Sequence, residues 1–281
     1  MAVMKKKLSS LPLQKEVSTK EVQKLKGFLT SAEEVDKILE FWSCLFYGRS
    51  GTGKTTLFAS YPKPALLLDF KDRGTNSIKN VKGIKVLRMQ DWSYVEGTYW
   101  ELKKGDHGYK TIGFDTVDGM AKLAMSKVRA DNGKDDTEAL SQREWGELGN
   151  LLTTWLLNYR DLTDEGVNVV FLSQQREKNV KEDDDVSSDD DQIDPEVGAN
   201  LIPSVTRTLN AAVNIIGNTY IKQTKTMKNL KPVITTSFML RIGPHPFYIT
   251  KIRKPKEYIL PASIEDPTYE KLMKIIKGEK I

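Results

Sequence analysis

The chain has 281 residues, of which 39% are apolar and 29% charged, as is typical of one large globular domain or one domain with a small appendage. No segment approaches 18 consecutive apolar residues, and no apolar stretch follows the N-terminal lysines, so we expect neither a membrane span nor a secretory signal. One cysteine and two histidines exclude an intramolecular disulfide and a zinc site. Together these features favour a cytoplasmic location.

The net charge of +5 conceals a strongly basic chain with one acidic run. The run 182–191 (EDDDVSSDDD) holds seven carboxylates, and without it 43 basic residues stand against 31 acidic ones. A basic chain of this kind suggests a polyanionic partner, although a soluble protein with a merely charged surface has the same composition.

The predicted elements alternate between strands and helices for most of the chain. Residues 1–40 read as an N-terminal arm with a short helix that begins at a capping box, Ser31 to Glu34. Predicted strands follow at 43–47, 65–70, 84–87, 111–115 and 167–173, with helices at 54–60, from 118 and at 141–162. Three further strands at 213–223, 232–242 and 246–254 precede a last helix at 268–276. The pattern predicts an α/β fold with a mostly parallel central sheet, flanking helices and antiparallel strands near the C-terminus.

The segment GRSGTGKT follows the first strand and fits the pattern G-x-x-x-x-G-K-[ST] through Gly48, Gly53, Lys54 and Thr55. Glycines in this pattern let backbone N–H groups curl around phosphates, the lysine reaches the β- and γ-phosphates, and the threonine hydroxyl binds Mg²⁺. The pattern therefore predicts that the chain binds ATP with Mg²⁺. The predicted ATP-binding residues are Gly48, Arg49, Ser50, Gly51, Thr52, Gly53, Lys54, Thr55 and Thr56.

Acidic residues at the ends of two further strands are candidates for the rest of this site. Asp115 ends the strand TIGFD, and we expect it to hold Mg²⁺ together with Thr55. Asp69 and Asp72 are candidates to polarise the attacking water, with Asp72 favoured. Asp115 could instead cap the following helix, and so could one of Asp69 and Asp72.

Four segments also occur in an order and spacing that characterise a known family. They read GRSGTGKTTLFASYPKPALLLDF, YKTIGFDTVDGM, REWGELGNLLTTWLLNYRDL and VNVVFLSQQREK. From Phe41 onwards, over roughly 85% of the chain, the sequence resembles the RecA-like single-strand annealing and recombination ATPases of bacteriophages. Only the first segment is highly specific. The resemblance implies a RecA-like P-loop NTPase core at 41–281, in the host cytoplasm if the protein is phage-encoded. The N-terminal arm at 1–40 is too polar to form its own core, so we expect it to dock on a neighbouring subunit.

The resemblance also implies roles for residues after the strand 167–173. Gln174 corresponds to the residue that senses the γ-phosphate, and 176–203 and 126–143 correspond to a long and a short DNA-binding loop. The acidic run departs from the family pattern because its carboxylates would repel phosphates, so it either inhibits DNA binding or merely extends the loop. Direct DNA contacts are then expected from Arg176, Lys178, Lys181 and Arg207.

Two basic residues on a late predicted strand, Lys251 and Arg253, resemble a pair that reaches the ATP of the next subunit in RecA proteins. Residues two apart on a strand point to one face, so the two side chains would act together as an arginine finger does. An exposed basic edge strand that discourages aggregation explains the same residues equally well.

The resemblance thus implies an ATPase, stimulated by DNA, that forms a homo-oligomer on single-stranded DNA and promotes annealing or strand exchange. A single-strand DNA-binding protein is a further expected partner, and the sequence leaves ring and filament undecided. The alternatives are another nucleic-acid motor (a helicase or packaging ATPase), a small-molecule P-loop kinase, and a binding module that uses ATP only as a switch. An AAA+ protein is disfavoured because fewer than 30 residues follow Arg253, too few for a helical lid domain.

Overall fold

A computed structural model describes residues 41–71, 74–180, 194–228, 231–254 and 259–279. The chain divides into two units, Met1–Glu40 and Phe41–Ile281, and all described residues belong to the second. The predicted N-terminal arm, Asp72, Lys181 and the acidic run lie outside the described residues, so the statements made about them stay predictions. Among the described helices, none is long and apolar enough to cross a membrane.

Strands and helices alternate up to Ser173, and strands predominate afterwards. The strands are β1 (Ser43–Gly48), β2 (Ala65–Asp69), β3 (Ile84–Arg88), β4 (Thr111–Asp115), β5 (Asn168–Ser173), β6 (Gln175–Val180), β7 (Asp194–Ala199), β8 (Ile215–Lys228), β9 (Lys231–Arg241), β10 (Lys251–Ile252) and β11 (Ser263–Glu265). The helices are α1 (Lys54–Phe58), α2 (Trp92–Lys103), α3 (Val117–Asp131), α4 (Gln142–Arg160), α5 (Pro203–Ala212) and α6 (Tyr269–Ile276), with 3-10 helices at Gly74–Ile78 and Asp161–Glu165.

One central sheet carries the fold. Its strand order is β11-β9-β8-β1-β5-β4-β2-β3, with β10 paired to β8. The strands from β8 to β3 run parallel, and β9, β10 and β11 run antiparallel to their partners. The predicted α/β fold, with a mostly parallel sheet and antiparallel strands near the C-terminus, is confirmed. Because β5 lies between β1 and β4, the carboxyl ends of these three strands meet at one sheet edge.

The strands at the centre of the sheet are buried along their whole length because helices cover both faces. Successive residues of β1 point to opposite faces. Leu45 and Tyr47 join the apolar layer formed with α2 to α5, whereas Cys44 and Phe46 join the layer formed with α1 and α6. The run of apolar residues in β1 therefore reflects burial on two sides.

Helix α2 was not predicted from the sequence. Its aromatic and β-branched residues have modest helix propensity, which weakens the local signal. The start is nevertheless marked by Asp91, whose side chain accepts a hydrogen bond from the backbone N–H of Ser93. Val95, Tyr99 and Leu102 are buried at helical spacing against the core.

The predicted short DNA-binding loop at 126–143 is wrong in its extent. Helix α3 continues to Asp131 because Met120, Ala124 and Val128 repeat every four residues on its buried face. Helix α4 begins at Gln142, so the connection spans only 132–141. This connection is held by its own hydrogen bonds, in which Lys134 Nζ donates to the carbonyl of Ala139 over 3.0 Å.

The predicted long loop at 176–203 is also more regular than expected. Strands β6 and β7 pair antiparallel, with Gln175 opposite Ala199 and Val180 opposite Asp194, and Pro203 begins α5. The sequence of β6, QREKNV, carries no alternating apolar pattern, so only the pairing with β7 identifies it as a strand. We call this pair the β6–β7 hairpin.

The third predicted strand near the C-terminus, 246–254, is mostly not part of the central sheet. Only Lys251 and Ile252 pair with β8. The preceding residues bond to β7 instead, since Val197 donates its N–H to the carbonyl of Phe247 over 2.7 Å and accepts from the N–H of Ile249 over 3.0 Å. This segment therefore braces the β6–β7 hairpin.

Candidate functional site

The phosphate loop connects β1 to α1 at the carboxyl edge of the central sheet. Gly51 and Gly53 have φ angles of 80° and 87°, in the left-handed region that favours glycine. Gly48 leaves no room for a side chain, because a Cβ there would lie 2.3 Å from the carbonyl oxygen of Thr219. The backbone can therefore curl into the nest of N–H groups that binds phosphates.

Lys54 spans this loop and is almost completely buried. Its Nζ atom donates to the carbonyl oxygens of Gly48 and Arg49 over 2.9 and 2.8 Å, and to Oε1 of Gln174 over 3.4 Å. A buried ammonium group at the mouth of a phosphate nest provides the charge that β- and γ-phosphates require.

The two predicted Mg²⁺-binding residues, Thr55 and Asp115, lie next to each other beside Lys54. Oγ1 of Thr55 donates to Oδ2 of Asp115 over 2.9 Å, and Asp115 is buried at the end of β4, where the peptide bond to Thr116 is cis. A hydroxyl and a carboxylate are hard oxygen donors of the kind that Mg²⁺ binds together with phosphate oxygens. The residues present therefore fit a magnesium nucleotide, with Thr55 and Asp115 as the protein ligands.

Gly74 lies directly over the side chains of Thr55 and Asp115, and it was not predicted as a site residue. A Cβ at this position would lie 2.7 Å from Oδ2 of Asp115 and 3.1 Å from Oγ1 of Thr55. The first residue of the 3-10 helix thus closes one side of the site without filling it. A side chain here would occupy the space next to the two metal-binding oxygens.

The end of β2 supplies a second buried carboxylate. Asp69 pairs in register with Asp115 on β4, and 5% of its surface is exposed. Within the described part of the chain, its Oδ1 atom has no hydrogen-bond partner. A buried carboxylate oxygen is costly unless a ligand or water satisfies it. This makes Asp69 the described candidate for polarising the attacking water, while Asp72, the favoured candidate, lies outside the described residues.

Gln174 follows β5 and connects the loop to its surroundings. Its side chain accepts from Lys54, its N–H donates to Oδ2 of Asp118 over 2.9 Å, and its carbonyl accepts from the N–H of Asn200 over 2.9 Å. Burial raises the pKa of Asp118, although the hydrogen bond from Gln174 favours its charged form. In the sequence, Asp118 is recognisable only as the start of a predicted helix, and its position three residues after Asp115 is the signal that could have identified it.

The predicted DNA-binding residues lie outside this site. Arg176 is exposed on β6, opposite Gly198 of β7, and Lys178 lies opposite Glu196. Arg207 is exposed on α5. These three residues are on elements that directly follow Gln174 or the hairpin, and none of them lines the phosphate-loop cavity.

Lys251 and Arg253 contact the C-terminal end of α5 in the same chain. Lys251 Nζ donates to the carbonyls of Asn210 and Ala211 over 2.7 and 2.8 Å, and Arg253 donates to Ala211 over 2.9 Å. Cations there bind the last helical carbonyls and favour the helix dipole. Burial, with repulsion from Arg253, lowers the pKa of Lys251. Within one chain the pair is a structural cap and does not join the phosphate site, because β10 pairs with the start of β8, at the opposite sheet edge.

A cavity of about 400 Å³ opens over the loop, within the size range of small-ligand sites. It gathers residues from the phosphate loop, the 3-10 helix, β4, the end of β5 and β9. The lining residues are Ser50, Gly51, Gly53, Lys54, Thr55, Thr56, Gly74, Asn76, Ser77, Asp115, Gln174 and Phe238. The structure thus brings most of the predicted ATP-binding residues together with Asp115 and Gln174, and adds Phe238, which was not predicted.

Comparison with known proteins identifies the family. A family model described as an AAA domain matches residues 40–253. The crystal structure of flagellar accessory protein FlaH from Methanocaldococcus jannaschii is similar over 75% of this chain and 84% of that chain, with 9% identity and a TM-score of 0.32. No curated protein matches the sequence.

The family match corrects the expectation that disfavoured the AAA class. That expectation took a helical lid domain after Arg253 as a requirement of the class. The described residues after Arg253 form only β11 and α6, but the family model matches the range before them, so the lid is not required for the match. The matched range includes the phosphate loop, Asp115 and Gln174, whose geometry fits a magnesium nucleotide. The chain therefore belongs to the AAA domain family and is a P-loop nucleoside triphosphatase.

Proposed function

We propose that this protein is a Mg²⁺-dependent ATPase that assembles on single-stranded DNA and promotes annealing or strand exchange. The single observation that carries the proposal is the contact between Lys54 and Gln174, because it connects the phosphate loop to the residue just before the β6–β7 hairpin. The likeness of the four sequence segments to phage RecA-like annealing ATPases supports the choice of DNA as the partner.

In the proposed reaction, Lys54 and the loop N–H groups hold the phosphates, and Thr55 and Asp115 hold Mg²⁺, which offsets charge on the phosphate oxygens when bound. Asp69 or Asp72 orients the attacking water. Gln174 responds to the presence of the γ-phosphate. No covalent intermediate with the protein is required, since catalysis of this kind depends on positioning and charge stabilisation.

The proposed signal reaches the hairpin through the backbone of Gln174. Its carbonyl bonds to Asn200 after β7, and Gln175 is the first residue of β6, so both legs of the hairpin start from this point. The β7 leg is braced farther along by Tyr47, whose hydroxyl donates to the carbonyl of Val197 over 2.9 Å. A shift of Gln174 would therefore turn the hairpin about a fixed support and move Arg176.

Oligomerisation completes the proposal. ATP would lie between adjacent subunits in a ring or filament, and Lys251 and Arg253 of one subunit would approach the nucleotide of the next. Such a role requires that the two side chains leave the end of α5, which they cap within one chain. A single-strand DNA-binding protein as a further partner and action in the host cytoplasm belong to the same proposal.

The test compares ATP turnover and DNA affinity in the wild type, Gln174→Ala and Gln175→Ala, with Lys54→Ala as the inactive reference. We expect single-stranded DNA to stimulate turnover, and a non-hydrolysable ATP analogue to support tighter DNA binding than ADP does. Gln174→Ala should retain ATP binding and lose this difference, while the adjacent Gln175→Ala keeps it. Lys54→Ala should lower turnover by about a hundredfold or more.

Imaging with an oligonucleotide and the ATP analogue provides the decisive outcome. A protein that stays monomeric and leaves the DNA bare would overturn the DNA part of the proposal. Processive unwinding of a duplex would instead identify a helicase-type motor, and ADP formation that depends on a small acceptor without DNA would identify a kinase. Turnover that survives Lys54→Ala would overturn the ATPase assignment itself.

A further inference from the structure

An aromatic side chain from the C-terminal half of the sheet borders the phosphate-loop cavity. Phe238 belongs to β9 and lines the cavity beside Gly53 and Thr56. A Cβ built on Gly53 would lie 3.2 Å from Cδ1 of Phe238, so the ring rests against the loop itself. None of the steps assigned above to phosphate binding or hydrolysis uses this side chain.

The strand order determines which end of a bound nucleotide faces Phe238. Strands β5 and β4, which carry Gln174 and Asp115, lie on one side of β1, whereas β8 and β9 lie on the other. The catalytic residues and Phe238 thus flank the loop from opposite sides. Because Lys54 and the Thr55–Asp115 pair fix the β- and γ-phosphates at the catalytic side, the sugar and base extend away from it, toward Phe238.

The environment of Phe238 suits a flat aromatic ligand. Phe238 is 42% exposed. Its phenyl ring therefore leaves apolar surface in contact with water, and an aromatic ligand that covers the ring would remove this unfavourable contact. The backbone is held on both sides, by pairing with Ile221 of β8 and by the N–H of Asp266, which donates to the carbonyl of Phe238 over 2.7 Å. A ring on a fixed backbone is preorganised to stack at small entropic cost.

We propose that Phe238 is the platform on which the base of the bound nucleotide stacks, and that this contact, rather than hydrogen bonds to the base edge, supplies the affinity for the nucleoside part. Stacking uses the flat face that all bases share. The inference rests on nucleotide binding at the loop, and it is independent of the proposal about DNA.

The experiment measures the affinities of the full-length protein for Mg·ATP, Mg·GTP and inorganic tripolyphosphate, which has the phosphates without the base. Phe238→Ala is expected to lower the affinities for ATP and GTP by at least about fivefold, which is the lower end of the range for loss of one base–aromatic stack. Binding of tripolyphosphate should stay unchanged, which also shows that the variant is folded. Phe238→Tyr should retain the affinity for both nucleotides.

Two further variants separate stacking from other effects. Phe238→Leu keeps apolar bulk against Gly53 without an aromatic face, so it should lose nucleotide affinity as the alanine variant does. Ile234→Ala is the matched control, because Ile234 is an exposed apolar residue of the same strand, four residues from Phe238, and does not line the cavity. It should leave all three affinities unchanged.

Three outcomes would overturn the proposal. An equal loss of affinity for ATP and for tripolyphosphate in Phe238→Ala would show that the ring only shapes the phosphate loop. Unchanged ATP affinity in Phe238→Ala would show that the base lies elsewhere. Weakening that appears only at protein concentrations where subunits associate would show that Phe238 contacts a second copy of the chain. A protein that fails to bind DNA, by contrast, would contradict the proposed function but not the stacking of the base on Phe238.

Discussion

Gly74 has no side chain, and this keeps the space beside the metal-binding oxygens of Thr55 and Asp115 open. Its neighbours are the two oxygens that we assign to Mg²⁺, and its φ angle is not in the left-handed region. The reason for a glycine at this position is therefore space rather than backbone conformation. A side chain, even a methyl group, would compete with the metal.

At this scale we predict that Gly74→Ala lowers ATP turnover by about tenfold or more and raises the Mg²⁺ concentration required for half-maximal turnover. A Cβ placed 2.7 Å from Asp115 Oδ2 forces the carboxylate or the 3-10 helix to move. The measurement is turnover as a function of Mg²⁺ concentration.

The matched control for this substitution is Gly97→Ala, in the exposed face of α2, where a Cβ meets nothing within 4 Å. It should leave turnover unchanged and stabilise the protein by about 0.5–1 kcal/mol, since alanine is the better helix former. Normal Mg²⁺ dependence in Gly74→Ala would contradict the assigned position of the metal.

At the scale of elements, helix α4 shows how a local signal places a long buried helix. Ser141 Oγ accepts from the N–H of Glu144, and Glu144 Oε2 accepts from the N–H of Ser141 over 2.5 Å, which completes a capping box. Lys134 bonds to the same carboxylate. These contacts tie the connection 132–141 to the first turn of α4.

We predict that Glu144→Gln lowers the free energy of unfolding at pH 7 and that the loss shrinks in acid. The hydrogen bond from Lys134 and those from Ser141 hold the pKa of Glu144 at about 2, below its ordinary value of 4.5. A lowered carboxyl pKa stabilises the fold above pH 4.5, and this stabilisation disappears as the pH falls toward 2. Urea unfolding at pH 7 and at pH 3 measures the difference.

Glu147→Gln is the matched control on the same helix. Glu147 forms an exposed i,i+4 ion pair with Arg143, and such pairs contribute little, so the stability should change by no more than a few tenths of a kcal/mol. If the effect of Glu144→Gln were as large at pH 3 as at pH 7, the capping contacts would not act through the charged carboxylate.

At the scale of the whole molecule, charge distribution decides how the chain meets a polyanion. In the sequence, the acidic run 182–191 falls between β6 and β7, and its seven carboxylates contrast with the strongly basic composition of the rest of the chain. Removal of the run changes the net charge from +5 to +12. Binding to phosphates should therefore become tighter and more sensitive to salt.

We predict that deletion of 182–191 tightens binding of single-stranded DNA at low salt, with the gain fading at high salt as the charges are screened. A replacement of the same length with serine and glycine is the control that separates charge from loop length, and it should reproduce the gain. Unchanged or weaker affinity in both variants would refute an inhibitory role for the run.

Much of the fold followed from local patterns. The strands 111–115 and 43–47 and the helix at 268–276 match the observed elements closely, because each is a solid apolar run or a periodic segment with a capping residue. The segments that the sequence misassigned were those whose structure depends on a partner. QREKNV becomes a strand by pairing with β7, and 247–249 leave the sheet to bond to Val197.

The phosphate loop and the pairing of Thr55 with Asp115 could be predicted from local patterns, because the loop has a specific motif and Asp115 ends a recognisable buried strand. Only the folded chain shows that Gly74 and Phe238 line the same cavity and that Asp118 bonds to Gln174 beside it. These residues come from segments far apart in the chain, and it is the order β9-β8-β1-β5-β4-β2 that brings them to the loop. Strand order leaves no local periodicity in the sequence, so side chains that meet through it are visible only after folding.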